Sequence, residues 1–429
     1  MKYFLGLILL FFSLNSYSQT VQEVINQVSL SELTNINREL SGEDSTIVNG
    51  NKELILNRVN AQGNDLAADY IEAYLENLNL DITNHYYRNG GRNVIATQFG
   101  VESPENIIVV CGHYDAVANY CADDNISGVA TVLETARILS NYCLKNTIVY
   151  ALWDEEEVGL VGSRAYADSM QLENANIIAV LNMDMMAYDG NNDRKFDIDV
   201  RNYANSYAIR DTLLNLVDNY NFNLTPVIVD PGTFSSDHSP FWQKGFSAVL
   251  FGESWETNDQ NPEYHSADDR VDLYNWPYYH DMAKLVAAYM ATMGEFGSIN
   301  TTVNSVFQTG SDIEILQAQF EGGSYQWYNC VTNQIIDGEQ DQSFTPSETG
   351  LYAVILDNGI CIDTSTCRNV VITSIENEIF KEIKLFPNPI VSEINLQIGT
   401  LTSVEITLYN VNGQPITNQI AVLKNNFLN

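Results

Sequence analysis

Three apolar runs between Ile107 and Tyr188 each end in side chains that could bind a cation or move a proton: IIVVCGHYDA leading to CADDNISG, then TIVYALWDEEEVGLVGS, then IIAVLNMDMMAY. Imidazole and carboxylate are the groups that zinc and similar divalent metals take as ligands, and hydrogen bonds behind them hold them in place. His113 and Asp115 supply both within three residues. On one strand they face the same side, so Asp115 can hold the His113 imidazole in one tautomer. Such a pair alone is more often structural. The carboxylates that follow at Glu156, Glu157 and Asp184 turn it into a candidate metal centre.

The elements that must position these groups follow from the same runs. Each opens with β-branched residues unbroken by charge, as suits strands buried on both faces of a mainly parallel sheet. After the first, ISGVATVLETARILSNY puts Val129, Val132, Leu133, Ala136 and Leu139 at helical intervals. The second leads into GSRAYADSM in the same way. Alternation of this kind predicts an α/β fold: a mixed, mainly parallel sheet flanked by helices. In open α/β sheets ligands collect beyond the carboxyl ends of the strands, so His113, Asp115, Glu156, Glu157 and Asp184 should share one crevice. Upstream, LAADYIEAYLENLNL carries a helical face of Ala67, Ile71, Tyr74, Leu75 and Leu78, and NVIATQFG reads as a strand. His85 there is most simply a surface or packing residue.

The ordered set of HxD, Asp-Asp-Asn-x-Ser-Gly, Glu-Glu-x-Gly-Leu-x-Gly-Ser, Asn-x-Asp-Met and Tyr-His resembles the secreted bacterial co-catalytic two-zinc aminopeptidases, zinc exopeptidases of the bacterial leucyl aminopeptidase type. The resemblance spans roughly residues 30 to 296. It implies that Asp124 bridges two zinc ions through a cis Asp124–Asn125 peptide. One ion would be completed by His113 and Asp184, the other by Glu157 and His265. Glu156 would be the general base, Asp115 would orient His113, and Tyr264 would reach the reacting group. Val158-Gly159-Leu160 sets the register through Glu155-Glu156-Glu157, leaving Asp123 and Glu155 without a role. His238 is expected to be structural beside the site with Asp237 as support, and His280 to lie in a Tyr-rich turn. The family also holds carboxypeptidases, glutaminyl cyclases and relatives without catalysis, so a carboxypeptidase, a cyclase or a surface binding and adhesion protein are the alternatives to an aminopeptidase acting on peptides.

The 429 residues suffice for two to three domains. Asp and Glu outnumber Lys and Arg by 55 to 20, a net charge of -35 that argues against nucleic acid or anionic membrane as partners. Residues 1–18, with Lys2, an apolar LGLILLFF and Ser16-Tyr17-Ser18, read as a secretory signal, and no other segment is apolar enough to span a membrane. The catalytic domain is expected over 19–298. Residues 300–374, with SYQWYNC and ETGLYAVILDNG, suggest a small β-sandwich resembling immunoglobulin-like modules, with Trp327 buried. Residues 378–429 resemble the sorting domain of type IX secretion cargo through Pro387-Asn388-Pro389 and an Asn-Gly turn, which implies that machinery as a partner and an extracellular or cell-surface location. Cys111, Cys121 and Cys143 fall before residue 300 and Cys330, Cys361 and Cys367 after it, so one is free on each side unless a bridge crosses. Residues 189–199, DGNNDRKFDID, are expected to form an acidic loop. Asp189, Asn191, Asp193 and Asp197 match the oxygen spacing of a Ca2+ loop, with Arg194 where its glycine would stand.

Overall fold

The computed structural model describes residues 20–372 apart from 79, 308–313 and 360, and beyond them the backbone of five strands between 383 and 428. The expected signal at 1–18 and the Pro387-Asn388-Pro389 motif lie outside the described residues. The chain divides into two units, one of 1–302 with 319–326 and 354–365, the other of 303–318, 327–353 and 366–429.

The first unit opens with α1 (Val21–Gln27) and α2 (Leu30–Leu40), started by Thr20 in a capping box with Glu23 and by Ser29. A hairpin, β1 (Thr46–Val48) with β2 (Asn51–Glu53), leads to α3 (Ala61–Glu76), which buries Ala67, Ala68, Ile71 and Leu75. Then follow β3 (Asp81–Arg88), β4 (Gly91–Gln98), β5 (Ser103–His113), α4 (Gly128–Leu139), β6 (Asn146–Trp153), α5 (Val161–Leu172) and β7 (Ile177–Met183). The unit continues through β8 (Lys195–Asp199), α6 (Ser206–Asn219), β9 (Thr225–Val229), α7 (His238–Gln243), β10 (Ala248–Glu253) and α8 (Trp276–Gly294).

The sheet order is β3-β4-β6-β5-β7-β10-β8-β9. Its centre is parallel, β5 pairing with β6 and β7, and β10 with β7. β4 and β8 run antiparallel to β6 and β10, which makes the sheet mixed as expected. Strand alternation divides β5 between two cores: Ile108 and Val110 pack with α4 and α8, while Val109 and Cys111 join Trp153, Tyr166 and Phe241 on the other face. The central strands are therefore shut off from water on both sides, and function is confined to their carboxyl ends.

The structure adds one strand and changes two readings. β3 is a strand although DITNHYYR is polar, because it is an edge strand half exposed along its length. Residues 195–199 are strand β8, so only 189–194 form the acidic loop. His280 lies inside α8, its Nε2 2.9 Å from the Val28 carbonyl, because the Asn275 cap and Pro277 start the helix before it. His85 is a packing residue against Tyr87 and Tyr166.

After residue 302, β11 (Val303–Phe307), β12 (Glu314–Ala318) and β15 (Ser343–Phe344) form one antiparallel sheet. Another is formed by β13 (Ser324–Asn329), β14 (Gln334–Ile335), β16 (Gly350–Asp357), β17 (Ile362–Thr364) and β18 (Arg368–Val370). Trp327 is fully buried against Phe344, and the Tyr352 hydroxyl donates to the Glu348 carbonyl at 2.9 Å. Cys330 pairs with Cys367 and Cys143 with Cys361; Cys111 and Cys121 are free and buried, so both free thiols precede residue 300. No described helix is long and apolar enough to cross a membrane.

Candidate metal centre

The parallel register brings the ends of β5, β6 and β7 to one edge, and there His113, Glu156, Glu157 and Asp184 line a cavity of about 400 Å3 with Asp124, Tyr264 and His265. His113 Nε2 lies 3.4 Å from Asp124 Oδ1 and 3.6 Å from Asp184 Oδ1. His265 Nε2 lies 3.3 Å from Asp124 Oδ2 and 3.1 Å from Glu157 Oε2. Each oxygen of Asp124 thus faces a different imidazole. Both His113 nitrogens, Asp124 Oδ2 and Glu157 Oε1 are buried without a hydrogen-bond partner. Buried polar atoms rarely go unpaired, and this set of imidazole and carboxylate donors fits zinc.

Electrostatics agree. Burial, resisted by His113 but reinforced by Asp237, Asp184 and Glu157, pushes Glu156 up to about 10. Burial and Asp124 push Glu157 up to about 8. Burial tends to lower His113, but Glu156, Asp115, Asp124 and Asp184 outweigh it and its net shift is well upward. So many crowded acids need more positive charge than one imidazole supplies.

The surroundings explain the placement. Asp115 accepts from the main-chain N–H of Glu156 at 3.1 Å and of Glu157 at 3.2 Å while its Oδ1 sits 3.4 Å from His113 Nδ1. It therefore positions both glutamates as well as the imidazole. Glu155 is turned away, held by Tyr87 Oη and Arg88. Asp124 sits in a π-helical turn, Ala122–Ser127, and its peptide to Asn125 is cis. Asn125 ties that turn to β7, donating to the Met183 carbonyl at 2.8 Å and accepting from Gly128 N–H at 3.0 Å. A Cβ on Gly128 would stand 2.4 Å from the Asn125 oxygen, which is why glycine follows there. Tyr264 is half exposed and stacks on His265 at 3.7 Å. His238 is buried and bonded to the Thr233 carbonyl, and burial pushes it down to about 4.

Several supporting groups escape a reading by spacing. Asp269 accepts from the N–H groups of Asp123 and Asp124 at 3.0 Å. Asp123 accepts from Met186 and Ala187 N–H, each at 3.0 Å. Ser236 Oγ donates to Asp184 Oδ2 at 2.6 Å. Arg58, fully buried, donates to the carbonyls of Tyr114, Leu40, Tyr120 and Cys121 and clamps the loop before the turn. The only outward sign of Asp269 is an acid in SADDR just after His265.

In the acidic loop the expected set of four oxygens is broken. Asp197 lies in β8, accepts from Ser254 and from Glu256 N–H, and lines the cavity. The acids that converge instead are Asp189, Asp193 and Asp259. Arg194 adopts the left-handed conformation, φ 61°, that glycine would favour.

Comparison with known proteins adds to this geometry. Residues 93–290, which include all of the cavity's histidines and acids named above, match Peptidase family M28, and residues 384–428 match a Secretion system C-terminal sorting domain. A probable leucine aminopeptidase of Trichophyton verrucosum is 28% identical over 47% of this chain and 57% of its own length. The chain spans a little over half the length of the curated relatives it matches first. Among solved structures, LapB from Legionella pneumophila superposes with a TM-score of 0.55 at 19% identity, covering 64% of this chain and 74% of that one. A glutaminyl cyclase from Macrostomum lignano gives 0.52 at 16%, covering 66% and 94%. These likenesses are of fold. Residues 93–290 are a domain of Peptidase family M28, and residues 384–428 are a secretion system C-terminal sorting domain.

Proposed function

We propose that the protein is a secreted zinc metallo-aminopeptidase that removes N-terminal residues from peptides and uses two metal ions. The observation that carries this reading is Asp124, whose two oxygens face two histidines, each with a further carboxylate beside it. His113, Asp184 and one oxygen of Asp124 would hold one ion; His265, Glu157 and the other oxygen would hold the second. Bound there, zinc would supply Lewis acidity to water and to the scissile carbonyl. Glu156, whose carboxylate also lies within 4.8 Å of ligand atoms of His113 and Asp184, would take the proton of the attacking water and return it to the leaving amine as the C–N bond breaks. Asp115 keeps Glu156 and Glu157 facing opposite tasks. Tyr264, beside His265, is set to donate to the carbonyl oxygen as it gains charge.

The sorting domain supports export by the type IX machinery to the cell surface or medium. At the acidic loop, Asp189, Asp193 and Asp259 hold carboxylate oxygens within 4.8 Å of one another, a spacing Ca2+ could use. Millimolar calcium should then raise Tm, and Asp193→Ala should remove the rise; no shift contradicts that part.

The function is tested by hydrolysis of aminoacyl and N-blocked chromogenic substrates by the zinc-loaded chain, with and without chelator. Cleavage of free-amino substrates, lost with chelator, is expected. Activity on blocked substrates alone would favour a carboxypeptidase, cyclisation of N-terminal glutamine a cyclase, and activity on neither a binding or adhesion protein.

A further inference from the structure

We propose that the wall of the cavity built from β8 and β10 is a pocket for a cationic side chain, so that the preferred substrates are peptides beginning with lysine or arginine; this rests on the aminopeptidase reading. Along β8, Phe196 and Ile198 enter the core, which leaves Asp197 and Asp199 on the opposite face. In the antiparallel register Asp197 lies across from Gly252 and Asp199 from Leu250, and all four line the same cavity as His113, Asp184 and His265. Glu256 lines it as well. Three acids thus border a space continuous with the metal centre.

Their partners are neutral. Asp197 accepts from Ser254 Oγ at 3.1 Å and from Glu256 N–H at 2.9 Å. Asp199 is only 7% exposed; its Oδ1 accepts from Thr233 N–H at 2.7 Å, and no described donor reaches its other oxygen. Among the described residues no lysine or arginine forms an ion pair with Asp197, Asp199 or Glu256. Arg201, whose charge reaches Asp199, is turned to the Gly232 carbonyl and lies over the Phe234 ring at 4.3 Å. Burial, opposed by the Thr233 N–H and reinforced by the charges of Asp197 and Glu256, pushes Asp199 up to about 6.

The second oxygen of Asp199, on the cavity wall and without a donor among the described residues, is open to a cation or donor carried by a ligand. Leu250, Met185 and Trp255 supply apolar wall in the same cavity. That combination suits a side chain with a methylene stem and a charged head. It would repel an acidic side chain and leave Asp199 unpaired against leucine.

The test compares kcat/KM of the zinc-loaded full chain on lysyl, arginyl, norleucyl and glutamyl anilides. Lysyl and arginyl substrates should exceed norleucyl, which has the stem without the charge, by about ten- to hundredfold. Asp199→Asn keeps an acceptor for Thr233 N–H and should collapse that ratio; Glu256→Gln, nearer solvent, should lower it if the first variant fails to fold. Norleucyl equal to or above lysyl in the wild type, or variants that leave the ratio unchanged, would overturn the proposal. Calorimetric binding of lysine amide against norleucine amide reads the pocket even if no bond is cleaved. Equal affinities there would overturn the pocket, whereas tighter lysine amide with no hydrolysis would uphold it and count against the aminopeptidase reading alone.

Discussion

At the scale of single residues, two of the three histidines outside the proposed metal ligands show how environment decides role. His238 is fully buried with one ring nitrogen bonded to the Thr233 carbonyl and the other unpaired, and burial holds its pKa at about 4. Because the folded value lies below the ordinary 6.5, the unfolded chain takes up the proton first as pH falls. Stability is therefore intact above about pH 6.5 and lost between there and about 4, by about 3 kcal/mol in all. His238→Gln, which retains a donor to Thr233, should show a shallower fall in Tm than the wild type from about pH 7 to about 5. Parallel curves would contradict this. His280, by contrast, meets the Val28 carbonyl across two helices and is a tether for α1. Histidine spacing in the sequence could not separate these roles.

At the scale of elements, β5, β6 and β7 were legible because burial on both faces leaves a continuous apolar run. His113, Glu156, Glu157 and Asp184 stood out with them, as each follows such a run, whereas Asp124, Tyr264 and His265 entered only through the family resemblance. β8 was not legible: KFDID alternates core residues with Asp197 and Asp199, and acids on a cavity wall look like a solvated loop in one dimension. Asp269 was hidden for another reason, since its partners are main-chain N–H groups that no side-chain pattern reports. It fixes the turn carrying Asp124, so Asp269→Ala should weaken zinc affinity about 10- to 100-fold, with Asp269→Asn intermediate. Zinc titration against a competing chelator measures this, and wild-type affinity in the alanine variant would contradict the role. Arg58 escapes the same way, making three of its four bonds to carbonyls of the loop before Asp124 and the fourth to Leu40 at the end of α2.

At the scale of the whole molecule, a peptidase domain at 93–290 and a sorting domain at 384–428 occupy one acidic chain of net charge -35. Deleting residues 378–429 should leave turnover intact and stop export; normal secretion of the shortened chain would contradict that division of labour. The central claim is that Glu156 moves the proton while Glu157, one residue on, holds a metal. The measurement that tests it most directly is zinc content together with kcat for Glu156→Gln. The account predicts two zinc ions per chain, little change in KM and a kcat lower by about 10²–10⁴-fold. Loss of a zinc from this variant, or turnover equal to the wild type, would contradict it.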